Sequence, residues 1–70
     1  MAEVRAEMVA NVWKVVAAEG DQINDGDTLV VLESMKMEIP VLADVSGTLT
    51  SLGVAEGDVV QEGDLIAVIE

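Results

Sequence analysis

An internal repeat constrains the fold of this 70-residue chain more than any other feature of its sequence. Residues 41–70 align with residues 4–33 without a gap, at an offset of 37 positions. The identical pairs are Val4 and Val41, Ala6 and Ala43, Ala18 and Ala55, Glu19 and Glu56, Gly20 and Gly57, Asp21 and Asp58, Gly26 and Gly63, Asp27 and Asp64, Val31 and Val68, and Glu33 and Glu70. Only the connector, residues 34–40, has no counterpart, so we expect a duplicated fold whose function lies at the unduplicated loop.

Composition and patterning predict an all-β domain that spans residues 1–70. Apolar residues make up 51% of the chain, yet its only aromatic residue is Trp13, so the core must consist of small aliphatic side chains. Many of these are β-branched and therefore favour strands. Val4, Ala6 and Met8 alternate with polar residues, as in a strand with one buried face. Further strands are predicted over residues 12–17, 22–23 and 29–33, and the second copy repeats this order. The expected architecture is a flattened eight-strand barrel-sandwich hybrid with a pseudo-two-fold axis.

The charge and the missing residue types exclude several classes of function. The formal net charge is −11, which argues against binding to nucleic acid or to an anionic membrane surface. The absence of Cys excludes a thiol nucleophile and a Cys-ligated metal site. No apolar run approaches the roughly 20 residues that cross a bilayer, and the amino end lacks signal-peptide features. We therefore expect a cytoplasmic protein that is monomeric when isolated.

The connector is an unusual hairpin loop, because it contains no glycine. Two-residue hairpins normally use Asn-Gly, Asp-Gly or Gly-X to reach positive φ. Here the loop has Met35, Lys36 and Met37 instead, although the chain uses glycine at its other turns. Such a departure from local rules is typical of functional sites. We expect a stiff tip that holds the Lys36 side chain outward, between two flexible apolar side chains that a partner could recognise.

Lys36 is better suited to being modified than to catalysis. A catalytic Schiff-base lysine requires burial or a cationic neighbour, and a hairpin tip near Glu33 and Glu38 offers neither. The alternative is an ordinary solvated turn lysine, which is what a lone hairpin lysine usually is. Its position between the two repeats and beside two methionines favours a functional role.

The segment Glu33-Ser34-Met35-Lys36-Met37, followed by Ile39-Pro40-Val41, resembles the attachment motif of biotinyl domains, the biotin carboxyl carrier proteins. The resemblance covers nearly the whole chain, including its Gly-Asp turns and duplicated strands. It implies that biotin is joined by an amide to Lys36, and that Met35 and Met37 help partner enzymes to recognise the site. Ser34 stands where Ala is common in the family. The small stand-alone biotin/lipoyl attachment proteins are the most similar type.

The same resemblance implies a carrier that is not an enzyme by itself and that binds no metal. A biotin protein ligase would attach the cofactor to Lys36. A biotin carboxylase would then load carbon dioxide onto the biotin ring, and a carboxyltransferase would receive it from carboxybiotin. The carrier supplies position while the cofactor supplies the chemistry.

The sequence leaves open three alternative functions and the role of Trp13. A lipoyl carrier domain of a 2-oxo acid dehydrogenase or glycine-cleavage system shares this fold, but lipoyl sites usually show Asp before the lysine and Ala after it. An unmodified interaction module of the same fold is the second alternative. A free-standing enzyme is the weakest, since the chain has neither His nor Cys. Trp13, whose repeat partner is Thr50, is expected to face solvent on a bulged strand, either as a partial cap on the core or as a docking residue.

Overall fold

The computed structural model describes residues 1–70 and consists of strands joined by turns, as the sequence predicts. The strands are β1 (Ala2–Arg5), β2 (Ala10–Val15), β3 (Gln22–Ile23), β4 (Thr28–Ser34), β5 (Met37–Leu42), β6 (Gly47–Leu52), β7 (Val59–Val60) and β8 (Leu65–Ile69). They form two four-stranded sheets, with the strand orders β1-β8-β6-β3 and β5-β4-β2-β7. None of the segments forms a helix that could span a membrane.

The two sheets are built alike, residue for residue. The equivalence extends beyond the aligned repeats into the connector, because the pair Leu32 and Ile39, between β4 and β5, has its counterpart 37 positions away in Ile69 and Ala2, between β8 and β1. A register shift interrupts β2 between Val12 and Lys14, and the equivalent shift interrupts β6 between Leu49 and Ser51. The predicted pseudo-two-fold barrel-sandwich is therefore confirmed, including the bulge at Trp13 and its counterpart Thr50.

Four turns use the same closing device. In each, a glycine at positive φ precedes an aspartate, whose carboxylate accepts a hydrogen bond from the backbone N–H three residues earlier. The donor and acceptor residues are Ala18 and Asp21, Asn24 and Asp27, Ala55 and Asp58, and Gln61 and Asp64, at 2.8–2.9 Å. Because φ is +94° at Gly20 and +93° at Gly57, a side chain at either position would be strained. These turns fix where each short strand begins.

The core between the sheets is aliphatic, as composition predicts. Leu29, Leu49 and Ile66 have no exposed surface, and no polar side chain is buried. Each such burial stabilises the fold by about 1.5–3 kcal/mol. Both copies of the repeat contribute to one cluster, so each half needs the other to complete its core.

The first strand is shorter than the alternation of apolar residues predicts. β1 ends at Arg5, and Met8 is 40% exposed, so its predicted place on the buried face is wrong. Ala6 still bonds to the segment just before β8, since its N–H donates to Asp64 O and its own carbonyl accepts from Gly63 N–H, both at 2.8 Å. The chain bends after this residue, at Glu7 and Met8, so Met8 falls in the connection to β2.

Candidate functional site

The hairpin between β4 and β5 has a two-residue turn with left-handed backbone at both positions. Ser34 pairs with Met37, so only Met35 and Lys36 form the turn. Their φ angles are 53° and 65°, and no other non-glycine residue in the chain has positive φ. This is the pattern of a type I′ turn, which normally uses Asn-Gly. The connector therefore departs from local rules in the way that its missing glycine predicts, and it holds two side chains in a conformation that costs about 1 kcal/mol or more each.

The three side chains at the tip project into solvent. Met35 is 92% exposed and Met37 is 63% exposed, and Lys36 is exposed between them. Lys36 forms no ion pair, since the single salt bridge of the chain joins Arg5 to Glu3 at 2.8 Å. The structure thus brings Met35, Lys36 and Met37 together, with the amine exposed and in no ion pair.

The strands beneath the tip are well anchored. β4 lies inside its sheet between β5 and β2, and it pairs with β5 over six residue pairs, from Thr28–Leu42 to Ser34–Met37. Leu32, two residues before the end of β4, is 2% exposed and belongs to the core cluster. A turn mounted on such a ladder keeps its lysine at a fixed place relative to the domain.

The tip has no binding cavity of its own. The largest surface groove, of about 590 Å³, runs between β1 and β5, and Lys36 does not line it. Arg5, Leu32, Ile39 and Val41 are among its lining residues. An exposed amine without a surrounding pocket fits a group that another enzyme must reach.

One feature near the tip was missed by reasoning from the sequence. Glu33 and Glu38 are directly opposite each other on β4 and β5, one pair below the residues that flank the turn. Counting back from a two-residue turn at Met35 and Lys36 would have found this pairing. The second lysine, Lys14, is also exposed, but it lies in β2 beside the bulge at Trp13. Trp13 itself is 49% exposed, which agrees with its predicted solvent-facing position.

The chain belongs to the biotin/lipoyl family. Residues 2–69 match this family, which is described as "Biotin-requiring enzyme". Because the match spans nearly the whole chain, the resemblance to biotinyl domains is confirmed. Biotin is confirmed as the cofactor of the class to which the chain belongs.

Two sequence relatives are of similar size. A "Biotinylated protein TB7.3 homolog" from Mycobacterium leprae is 67% identical over 52 residues, which are 74% of this chain and 73% of that protein. A "Biotin/lipoyl attachment protein" from Bacillus subtilis is 54% identical over 44 residues, and this alignment spans 60% of that protein.

Solved structures of much larger proteins contain the same fold. The urea carboxylase of Kluyveromyces lactis superimposes with a TM-score of 0.92 and 39% identity, over 99% of this chain but 6% of that one. A single-chain, multi-domain long-chain acyl-CoA carboxylase superimposes with a TM-score of 0.87 and 35% identity, over 94% of this chain and 7% of the other. The chain is therefore a biotin-requiring carrier domain, homologous to a short segment of large carboxylases.

Proposed function

We propose that Lys36 is the attachment residue for biotin, and that the chain is a biotin carboxyl carrier. The observation that carries this proposal is the left-handed, glycine-free turn that exposes one unpaired amine between two exposed methionines. In the attachment reaction, the biotin carboxyl group is activated with ATP by a biotin protein ligase, and the Lys36 Nζ displaces the activating group to form an amide. The proposal treats residues 1–70 as one biotinyl domain, with repeats 4–33 and 41–70 and the attachment hairpin at 34–40.

Met35 and Met37 act as recognition groups in this proposal. Both side chains are unbranched and polarizable, so they can adapt to the surfaces of several different enzymes. Their exposed fractions of 92% and 63% leave most of their apolar surface for a partner to cover. A carrier that must visit a ligase, a biotin carboxylase and a carboxyltransferase in turn benefits from such adaptable contacts.

The domain contributes position rather than bond chemistry. When bound, biotin supplies a ring nitrogen that carries carbon dioxide from one active site to the next. The ladder between β4 and β5 keeps the arm at one end of a hairpin, at high effective concentration near both partner sites. Amide formation also removes the positive charge of Lys36, so no cation has to be desolvated when the arm enters an active site. These reactions would take place in the cytoplasm, with the carrier as a monomer.

Intact-mass measurement after treatment with a biotin protein ligase, biotin and ATP tests the proposal. We expect the wild-type chain to gain one biotinyl group and to bind streptavidin. The Lys36→Arg variant should gain none, while Lys14→Arg, the matched control at the other lysine, should behave like the wild type. Addition to the Lys36→Arg variant, or no addition to the wild type, would refute the proposal.

A lipoyl carrier is the second candidate function, and one comparison favours it. The Bacillus subtilis relative, 54% identical over 44 residues, is named for both biotin and lipoyl attachment. Parallel treatment with a lipoate ligase and lipoate would separate the two. We expect no lipoyl addition, because methionines flank Lys36 where lipoyl sites have Asp and Ala.

A further inference from the structure

The pseudo-symmetry of the domain provides an internal comparison between its two sheets. The sheet β5-β4-β2-β7, which ends in the Lys36 hairpin, is here called the lysine-bearing sheet, and β1-β8-β6-β3 the opposite sheet. Four large apolar residues within strands are exposed, namely Trp13, Met37, Leu42 and Val59, and all four belong to the lysine-bearing sheet. The strands of the opposite sheet contain no exposed large apolar residue.

Equivalent positions in the opposite sheet are polar. The pairs, lysine-bearing sheet first, are Trp13 and Thr50, Pro40 and Glu3, Leu42 and Arg5, and Val59 and Gln22. The two members of each pair occupy equivalent places in the ladders of their own sheets. The backbone therefore does not require an apolar residue at these places. The difference between the sheets therefore points to something that contacts only one of them.

The apolar positions form a band across the outer surface of the lysine-bearing sheet. Pro40 pairs with Val31, and Lys14, next to the bulged Trp13, pairs with Val31 from the other side. Val59, on β7, lies at the edge of this region, opposite Asn11 on β2. Alternation puts these residues on the side away from the core, since Val12, Leu32 and Val60 are buried and Ile39 and Val41 pack against the core. We call this band the apolar face, defined by Trp13, Val31, Pro40, Leu42 and Val59.

An acidic pair separates the apolar face from the tip of the hairpin. Glu33 and Glu38 are directly opposite each other, and neither forms a salt bridge. Like charges at opposed positions destabilise a sheet, so this pair is unfavourable for the isolated domain. Basic groups on a partner would relieve it. A second copy of this chain is a poor source of them, because it has only three basic residues and a formal net charge of −11.

We propose that the apolar face is the docking surface for the biotin protein ligase during attachment at Lys36, with an apolar pocket of the ligase over Trp13 and basic groups opposite Glu33 and Glu38. This inference rests on the proposed function. By strand geometry, Trp13 lies roughly 15 Å from the tip. A standard interface covers about 800 Å² on each partner, equivalent to a disc of about 16 Å radius. A ligase footprint of this size that extends from Lys36 over the apolar face therefore has Trp13 inside its rim, and Trp is a residue type that often dominates binding energy.

The ligase fits this surface better than the carboxylase components do. The ligase must bring its active site to the Lys36 Nζ itself, so its surface has to close over the hairpin and the adjoining sheet. A carboxylase or carboxyltransferase meets the hairpin through the biotin arm, which lets its surface stay farther from the domain. The apolar face adjoins the unmodified tip, which the ligase has to contact directly.

Steady-state kinetics of biotin attachment tests the inference, with the unmodified chain as the varied substrate. We expect Trp13→Thr, which installs the residue of the opposite sheet, to raise KM for the chain at least about fivefold. Its kcat should change less than about twofold, because the groups at the tip are intact. Val59→Gln, at a residue 63% exposed, should raise KM by a smaller factor without loss of packing. The matched controls Thr50→Trp and Gln22→Val, on the opposite sheet, should keep the wild-type KM.

Each outcome supports or overturns the inference. Unchanged KM in both Trp13→Thr and Val59→Gln would overturn it while leaving the proposed function intact, since the wild type is still biotinylated. Slower carboxylation of a fully biotinylated Trp13→Thr chain, with normal ligation, would identify a carboxylase as the occupant and also overturn it. If Trp13→Thr does not fold, judged by circular dichroism, the KM of Val59→Gln decides. No attachment to the wild type would contradict the proposed function itself.

Discussion

Two kinds of tight turn occur in this small domain, and they differ in what they stabilise. The four Gly-Asp turns place glycine at positive φ and close themselves with an aspartate carboxylate, at 2.8–2.9 Å from a backbone N–H. The turn between β4 and β5 instead places Met35 and Lys36 at positive φ, and Lys36 forms no ion pair. The first kind stabilises the fold with little backbone strain, because glycine adopts positive φ readily. The second holds two non-glycine residues in a strained backbone conformation and leaves the Lys36 amine without an ion pair.

Stability and the proposed function depend on different turns of this chain. Its Gly-Asp turns occur in equivalent places in both copies, so they serve the duplicated scaffold. The hairpin turn occurs once, where the opposite sheet has the chain termini, and it carries the proposed attachment residue. Strain at a functional position can persist because the surrounding ladder determines the backbone. Changes in the two kinds of turn should therefore have opposite effects on stability.

The largest effect is expected from the double variant Gly20→Ala with Gly57→Ala. Both positions have open space but φ near +93°, so the cost is backbone strain alone, about 1–3 kcal/mol at each site. Urea unfolding followed by circular dichroism measures the change in unfolding free energy. A synthetic chain with D-alanine at both positions is the matched control, because D residues favour positive φ. Equal loss with L- and D-alanine would contradict strain as the cause.

A smaller loss is expected when a closing carboxylate is removed. Asp21→Ala leaves the Ala18 N–H without its acceptor at 2.9 Å, and should lower the unfolding free energy by about 1 kcal/mol. Asp58→Ala, which removes the equivalent bond to Ala55 N–H, should lower it by a similar amount. Asp25→Ala is the control, since the turn there is closed by Asp27. A similar loss for Asp25→Ala would show that negative charge, rather than turn closure, matters.

A gain in stability is expected at the hairpin. Met35→Asn combined with Lys36→Gly installs the usual type I′ sequence and should raise the unfolding free energy by about 1 kcal/mol, while removing the proposed attachment site. Thermal and urea unfolding of the variant and the wild type measure the difference. If the double variant is less stable than the wild type, then the left-handed turn is not a source of strain.

The smallest effect on stability is expected from Lys36→Arg. The side chain is exposed and forms no ion pair, so the unfolding free energy should stay within about 0.5 kcal/mol of the wild type. Urea unfolding under identical conditions checks this. A loss well above that value would assign Lys36 a structural role that its exposure does not suggest.

Much of this architecture can be predicted from the sequence, because the same pattern of strands and turns occurs in both copies of the repeat. Gly-Asp pairs occur at the four turns, and in each of them the aspartate carboxylate accepts a backbone hydrogen bond. The glycine-free connector predicts an unusual tip, and the structure has positive φ at Met35 and Lys36. Local chemistry determines both features, so local reasoning finds them.

Features that depend on distant partners could not be predicted in the same way. Ala6, just after β1, bonds to Gly63 and Asp64, residues from the other end of the chain, and the chain bends away only after it. Similarly, Leu52 N–H donates to the Glu19 carboxylate at 2.9 Å, across 33 positions of sequence. The asymmetry between the two sheets also emerges only when strand order is known, because Trp13 and Val59 lie far apart in sequence.

The most direct test of the central claim is peptide mapping by tandem mass spectrometry of this chain, purified from its own cells by a method that does not select for biotin. The account predicts one biotinyl group per chain, joined to Lys36 within the hairpin. A biotinyl group on Lys14, or a chain from those cells that carries none, would contradict it.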